Sequence, residues 1–141
     1  MKLTIMCGLP SSGKTTKAQT MGGRTVLSPD DVRLALHGER YIANAEGFVW
    51  ATVETAARAL LLSRNDVVID ATNNTAARRA RWKKIASEFG ITLGVMYMMT
   101  PFDECMERIG DDDVMADVLK RMYQEFEPPN AEEEGCLVFE R

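Results

Sequence analysis

The stretch Gly-Leu-Pro-Ser-Ser-Gly-Lys-Thr at 8–15 restricts this chain more than any other feature. It fits the pattern G-x-x-x-x-G-K-[ST] at Gly8, Gly13, Lys14 and Thr15. Glycines let the backbone curl so that successive N–H groups point inward and form an anion nest. The N-terminus of a following helix aims a partial positive charge at the same point. The lysine reaches the outer phosphates of a nucleoside triphosphate, and the next hydroxyl can bind Mg²⁺. An ordinary glycine-rich turn is the competing reading, and context separates the two: the motif needs a strand before it and a helix after it. Both are predicted, a buried strand over Lys2–Cys7 and a helix from Lys14 to about Met21. The triphosphate site then draws on Gly8, Ser11, Ser12, Gly13, Lys14, Thr15 and Thr16. The loop alone does not say what is phosphorylated.

Short apolar runs and longer helical periods alternate along the rest of the chain. A strand is expected near Arg24–Leu27, then a helix opened by Ser28-Pro29-Asp30, running to His37 and stopped by Gly38. A long helix is expected over about Ala45–Arg64, a buried strand over Asp66–Asp70, and a helix over Thr75–Phe89 with Gly90 at its end. Ile91–Met98 reads as a strand, Pro101 to Ile109 and Val114–Phe126 as helices, and Cys136–Phe139 as a last strand. The acidic stretch EFEPPNAEEEG reads as a linker. This alternation predicts an α/β chain with a parallel sheet and helices on both faces. At 141 residues it suits a single domain, 1–141. In such sheets ligands bind at the C-terminal strand ends. Those ends carry GLPSSGKT, SPDDVR and DATNN.

In SPDDVR, Asp30 and Arg33 are three apart, so they share a helix face. A carboxylate beside a hydroxyl can accept its proton, and an arginine can hold an acceptor's phosphate. The ordinary alternative is acids complementing a helix N-terminus and a surface ion pair. Asp70 closes the DVVID strand where an acid can support Mg²⁺; for Asn73 and Asn74 the ordinary reading is a cap on the next helix. That helix carries Arg78, Arg79, Arg81, Lys83 and Lys84 around Trp82, a solvated face or a phosphate-binding patch. Single residues read more simply. His37 suits a helix C-terminus, the methionines of VMYMM fill core gaps, and Phe48 and Trp50 pack the core.

A net charge of −4 gives no general attraction for nucleic acid, so a polynucleotide would need that local basic patch. Cys7, Cys105 and Cys136 are far apart and odd in number, which suggests reduced, buried thiols. No apolar run approaches the roughly 18 residues of a membrane span, and no secretory signal is present. A cytoplasmic protein without a membrane partner is expected; protein partners are unspecified.

In order, the phosphate loop, S-x-D-D-x-R, V-x-D-x-T-N and a helix with paired arginines ending in Trp resemble the phosphate-loop polynucleotide 5′-hydroxyl kinases of bacteriophage and DNA-repair type. The resemblance spans about Lys2 to Tyr123 and includes VLKRMYQEFEPP as the helix after the lid. It implies a phosphate-loop NTPase fold with a short helical lid at about 108–116. Lys14 and Thr15 would hold ATP and Mg²⁺, and Asp70 would support the metal, though some family members carry that acid where this chain has Ala71. Asp30 would be the general base, Arg33 would contact the acceptor's phosphate, and Arg78 and Arg79 would bind the acceptor. The loop after Arg108, IGDDDVM, is acidic where the family has a basic lid. Arg108, with Arg121 as the alternative, would then supply cationic help to the transferred phosphoryl, unless Arg108 only pairs with Glu104. The implied activity is ATP-dependent transfer to the 5′-OH of a nucleic-acid end or a nucleotide. The alternatives are a kinase of a nucleoside, sugar or antibiotic hydroxyl, and a nucleotide-binding module with weak catalysis.

Overall fold

Leu3 to Cys7 are all buried, so strand β1 (Leu3–Cys7) is covered on both faces, as a central parallel strand must be. The computed structural model describes residues 1–38 and 41–141. Around β1 lie β2 (Thr25–Leu27), β3 (Val67–Ile69), β4 (Gly94–Tyr97) and β5 (Leu137–Glu140), all parallel, in the order β2-β3-β1-β4-β5. The helices are α1 (Lys14–Thr20), α2 (Pro29–His37), α3 (Glu46–Leu62), α4 (Ala76–Glu88), α5 (Phe102–Ile109), α6 (Asp113–Glu125) and α7 (Ala131–Glu134). The α/β reading with helices on both faces holds.

Alternation along β1 sorts the core. Leu3, Ile5 and Cys7 face Val53, Ala57 and Leu61 of α3 and Trp82, Ile85 and Ala86 of α4. Met6, with Val68 and Met96, faces Ala18 of α1. On α3 the buried residues Val49, Val53, Ala57 and Leu61 fall four apart, a single stripe. Leu9, Cys105 and Leu119 form a smaller cluster that ties the phosphate loop to α5 and α6. The three cysteines are free and buried. Among the described residues no helix is long and apolar enough to cross a membrane.

Local chemistry sets the ends of α2. The Ser28 hydroxyl accepts from the Asp31 backbone N–H at 3.3 Å, Pro29 sits in the first turn, and Gly38 closes the helix at φ 69°. Three expectations are corrected. The cap of α4 is Thr75, whose hydroxyl accepts from the Arg78 N–H at 3.2 Å, and not Asn73 or Asn74. The acidic stretch is no plain linker: Asn130 caps the one-turn α7, and Glu127 Oε1 accepts from the Ala76 N–H at 3.2 Å. Phe48 is 63% exposed, outside the core.

Arg79 is the largest correction. It is 2% exposed, below the surface where an acceptor would bind. Its Nε and Nη2 donate to the two Glu134 carboxylate oxygens at 2.7 and 3.2 Å, and its Nη1 donates to the Asn73 carbonyl at 2.8 Å. The Asn73 side chain in turn donates to the Met6 carbonyl at 2.7 Å. The chain of contacts runs from α7 through α4 to the end of β1, and Arg79 belongs to the frame.

Removing one partner of a buried ion pair strands the other, at a cost of about 3–5 kcal/mol. Arg79→Ala should therefore lower the unfolding free energy by that order in urea melts, and a wild-type midpoint would remove Arg79 from the frame.

Candidate functional site

The loop of residues 8–13 is held from three sides. The Gly8 N–H donates to the Thr72 carbonyl at 3.0 Å, which ties the loop to the segment after β3. A β-carbon on Gly8 would lie 2.8 Å from Ser12 Oγ and 2.9 Å from the Met98 carbonyl oxygen, so only glycine passes between β3 and β4 at this point. The Thr100 hydroxyl donates to the Ser12 carbonyl at 2.8 Å, and Arg108 Nη1 donates to the Ser11 carbonyl at 3.1 Å. Gly13, at φ 94°, turns the chain into α1. The loop opens on a cavity of about 730 Å³ whose walls include Lys14, Thr15, Thr16, Thr20, Thr100 and Arg108. Ser11, Ser12 and Gly13 complete the loop side of that wall.

Lys14 is 8% exposed, and its Nζ donates to the Leu9 carbonyl at 2.6 Å. Burial lowers its pKa from 10.5 to about 8, with the Asp70 carboxylate opposing the shift. Thr15 and Asp70 meet: the Thr15 hydroxyl donates to Asp70 Oδ2 at 2.8 Å. Burial raises the Asp70 carboxyl, while the Thr15 hydrogen bond and Lys14 lower it. A hydroxyl and a carboxylate are hard oxygen donors of the kind Mg²⁺ takes. Among the described residues no group of three or more His, Cys, Asp or Glu is placed to hold a metal. Two protein donors beside a phosphate cradle suit a cation that takes its other ligands from water and phosphates.

Asp30 and Arg33 leave the end of β2 together. Arg33 Nη1 donates to Asp30 Oδ1 at 2.7 Å, and the Asp30 side chain is 57% exposed. The rest of the arginine fork is turned to a residue the sequence reading did not single out. Arg33 Nε and Nη2 donate to Glu46 Oε2 and Oε1 at 2.9 and 2.6 Å. Hydrogen bonding to Arg33 holds the Glu46 carboxyl below its ordinary range and raises Arg33. Three of the five guanidinium N–H donors are thus committed to carboxylates. Glu46 lies 13 residues from Arg33, so no helical spacing announces the pair.

Arg78 stacks on Trp50, its Cζ 4.1 Å from the ring centroid. Burial lowers its pKa, the nearby Arg81 adding to that effect. No carboxylate among the described residues is within ion-pair distance of it, whereas Arg81 is paired with Glu54 at 2.8 Å. Arg108 makes the pair with Glu104, Nη2 donating to Oε1 at 2.8 Å, and its Nη1 also reaches the phosphate loop at the Ser11 carbonyl. The acids after it have a local cause. Asp112 Oδ1 accepts from the Met115 N–H at 3.1 Å, and Asp113 lies in the first turn of α6, so both complement a helix N-terminus. Only residues 110–112 separate α5 from α6.

The Lys14 shift has a testable sign. Its ammonium is lost as pH rises through about 8, and a bound triphosphate favours the charged form. ATP affinity should fall by about tenfold between about pH 7 and about pH 9, and Lys14→Ala should flatten that slope. Between about 8 and 10.5 the unfolded chain holds the proton that the folded chain has lost, so stability from this group rises with pH there. Isothermal titration across the range checks the affinity, and a flat wild-type profile would contradict it.

Known proteins resemble this arrangement. The chain is 27% identical over 117 residues to Protein KTI12 homolog of Oryza sativa subsp. indica, covering 76% of this chain and 39% of that protein. A chain of the Pnkp1/Rnl/Hen1 complex superposes with a TM-score of 0.70 at 28% identity, over 79% of this chain and 40% of that one. The Mycobacterium tuberculosis APS kinase CysC, solved with AMPPNP and APS, gives 0.64 at 22% identity over 99% of this chain and 87% of that one, a likeness of fold. The chain therefore spans about two fifths of KTI12 homolog and of the Pnkp1-complex chain. The family model described as "AAA domain" matches residues 3–129, and the chain belongs to that family, with a phosphate-loop kinase-like fold.

Proposed function

We propose that this chain transfers the γ-phosphoryl group of ATP to a hydroxyl, most readily the 5′-OH of a polynucleotide or of a 3′-phosphorylated nucleotide. The observation that carries the reading is the placement of Asp30. Its carboxylate is exposed and held by Arg33 at 2.7 Å at the start of α2, just past β2, whose Leu27 carbonyl accepts from the Asp70 N–H at 2.8 Å. Asp30 orients the acceptor hydroxyl and takes its proton as the oxygen bonds to the γ-phosphorus; the bond from phosphorus to the β–γ bridging oxygen breaks and ADP leaves. Lys14 and the loop N–H groups hold the phosphates, and Thr15 and Asp70 would hold Mg²⁺. When bound, that ion neutralises charge on the β- and γ-phosphates.

Arg78 is the acceptor's phosphate contact in this reading, because it is a half-buried cation without a carboxylate partner among the described residues. Arg33 contributes through Asp30, which it holds at 2.7 Å. Arg108, on the Ser11 carbonyl at the cavity wall, is the cation from the lid side that this reading assigns to the transferred group, and the segment at 108–116 acts as the lid. The likeness to a chain of the Pnkp1/Rnl/Hen1 RNA repair complex supports a nucleic-acid acceptor. The second reading, a small-molecule kinase, draws on the burial of Arg79, which removes one of the three arginines assigned to the acceptor.

The test is incubation with γ-labelled ATP and a panel of acceptors: oligonucleotides with 5′-OH ends, a 3′-phosphorylated mononucleotide, its bare nucleoside, and sugars. Label should go to the first two. Transfer to sugars alone would install the second reading, and ATP binding without transfer to any acceptor would leave a nucleotide-binding module.

Asp30→Asn should lower kcat by about 10²–10⁴ with ATP affinity intact. A collapse of ATP affinity would move Asp30 to the nucleotide site. Arg78→Ala should raise KM for the 3′-phosphorylated nucleotide toward that of the nucleoside, a loss of about 1.5–3 kcal/mol for one charge-assisted contact. Unchanged discrimination would exclude Arg78. Arg108→Ala should slow single-turnover transfer, in the direction of the 10³–10⁵ effect of arginines that contact the transferred phosphoryl, and leave ATP affinity nearly unchanged. A wild-type rate would leave Arg108 as the partner of Glu104.

A further inference from the structure

The acceptor side of the cleft is organised by a carboxylate that does not face the acceptor. We infer that Glu46, in the first turn of α3, is the positioning residue that sets Arg33 and through it Asp30. The inference rests on the phosphotransfer reading above and deepens it. Glu46 takes two Arg33 donors, at 2.9 and 2.6 Å, in the fork-to-fork geometry that fixes a guanidinium plane. With that plane fixed, Arg33 Nη1 can meet Asp30 Oδ1 at 2.7 Å from one direction only.

The order of exposure agrees with a positioning chain. Side-chain exposure rises from 15% at Arg33 and 18% at Glu46 to 57% at Asp30, so the supporting pair is sheltered and the reacting group is presented to solvent. Trp50 follows Glu46 one turn along α3, and Arg78 lies 4.1 Å over its ring, so the helix that Glu46 begins also carries the other acceptor arginine. The turn Ala43–Ala45 leads directly into Glu46, and α2 packs on α3, so Glu46 is delivered from backbone rather than from a flexible loop.

A misplacement of about 1 Å in a reacting group can cost about 10²-fold in rate. Glu46→Gln keeps the size and one acceptor oxygen but loses the charged, two-oxygen grip. In the full chain it should lower kcat about 10²-fold on the 3′-phosphorylated mononucleotide, with ATP Kd unchanged and Glu46→Asp intermediate. The Arg33→Ala, Glu46→Gln double variant should be no slower than Arg33→Ala alone, because both changes interrupt one chain. Losses that add, or an ATP Kd that rises in step with the fall in kcat, would overturn the inference. A second readout is independent of any acceptor. In nitrogen NMR the Arg33 Nη groups should rotate slowly in the wild type and freely in Glu46→Gln. If the wild type phosphorylates no acceptor, the phosphotransfer reading fails, and Arg33 rotation still decides the role of Glu46: slow rotation released by Glu46→Gln supports it, and free rotation in the wild type overturns it.

Discussion

The hydrogen bonds around Asn73 extend the pairing of β1 and β3 past the end of their ladder. Its side chain donates to the Met6 carbonyl, its own carbonyl receives Arg79, and Thr72 just before it receives the Gly8 N–H. The ladder between β1 and β3 ends at Ile5 and Ile69, and past it these contacts keep the two chain segments together. The phosphate loop and Asp70 follow from those two ends, and Thr15 meets Asp70 at 2.8 Å across the gap. The T-N pair after β3 is therefore a clasp that supports the loop from behind.

Charge in the cleft is distributed by burial. Lys14 lies deep and Asp70 is half-buried, burial pushing each away from its charged form while each supports the other. Toward the acceptor side the arginines differ in how they are matched. Arg33 is held by carboxylates, Arg81 is paired with Glu54, and among the described residues Arg78 meets an aromatic face and no carboxylate. A cation over a ring keeps part of its field available to an incoming anion, which a salt-bridged one does not. Three arginines close in sequence on α4, at 78, 79 and 81, thus end as a presented cation, a buried brace and a surface pair.

What the sequence disclosed was local. Ser28-Pro29 and Gly38 bound α2 because cap and stop chemistry lies within one turn of each end. The phosphate loop was legible because its glycines answer to close backbone approach. What stayed hidden was non-local: Glu46 pairs across 13 residues, and Glu134 reaches Arg79 across 55. Asn73 looked like a cap because Asn caps helices, yet Thr75 stood closer to the first turn and won. The acids at 111–113 looked misplaced against a kinase lid, and in the structure Asp112 and Asp113 serve the start of α6. Arg79 shows the limit most plainly, since helix spacing gives neighbours on one helix and says nothing about a one-turn helix 50 residues on.

That brace has a consequence for the order of events as the chain is made. Synthesis proceeds from the N-terminus, and segments begin to collapse as they emerge. Arg79 leaves the ribosome with α4, long before Glu134. Until α7 follows, a guanidinium destined for the interior has only carbonyl oxygen to meet, and an uncompensated charge resists burial. The nascent sheet of β1, β2, β3 and β4 can assemble, but its nucleotide cradle rests on a clasp whose counterion has not been translated. Until α7 is added, the brace behind Asn73 and the end of β1 lacks the two carboxylate oxygens that neutralise it.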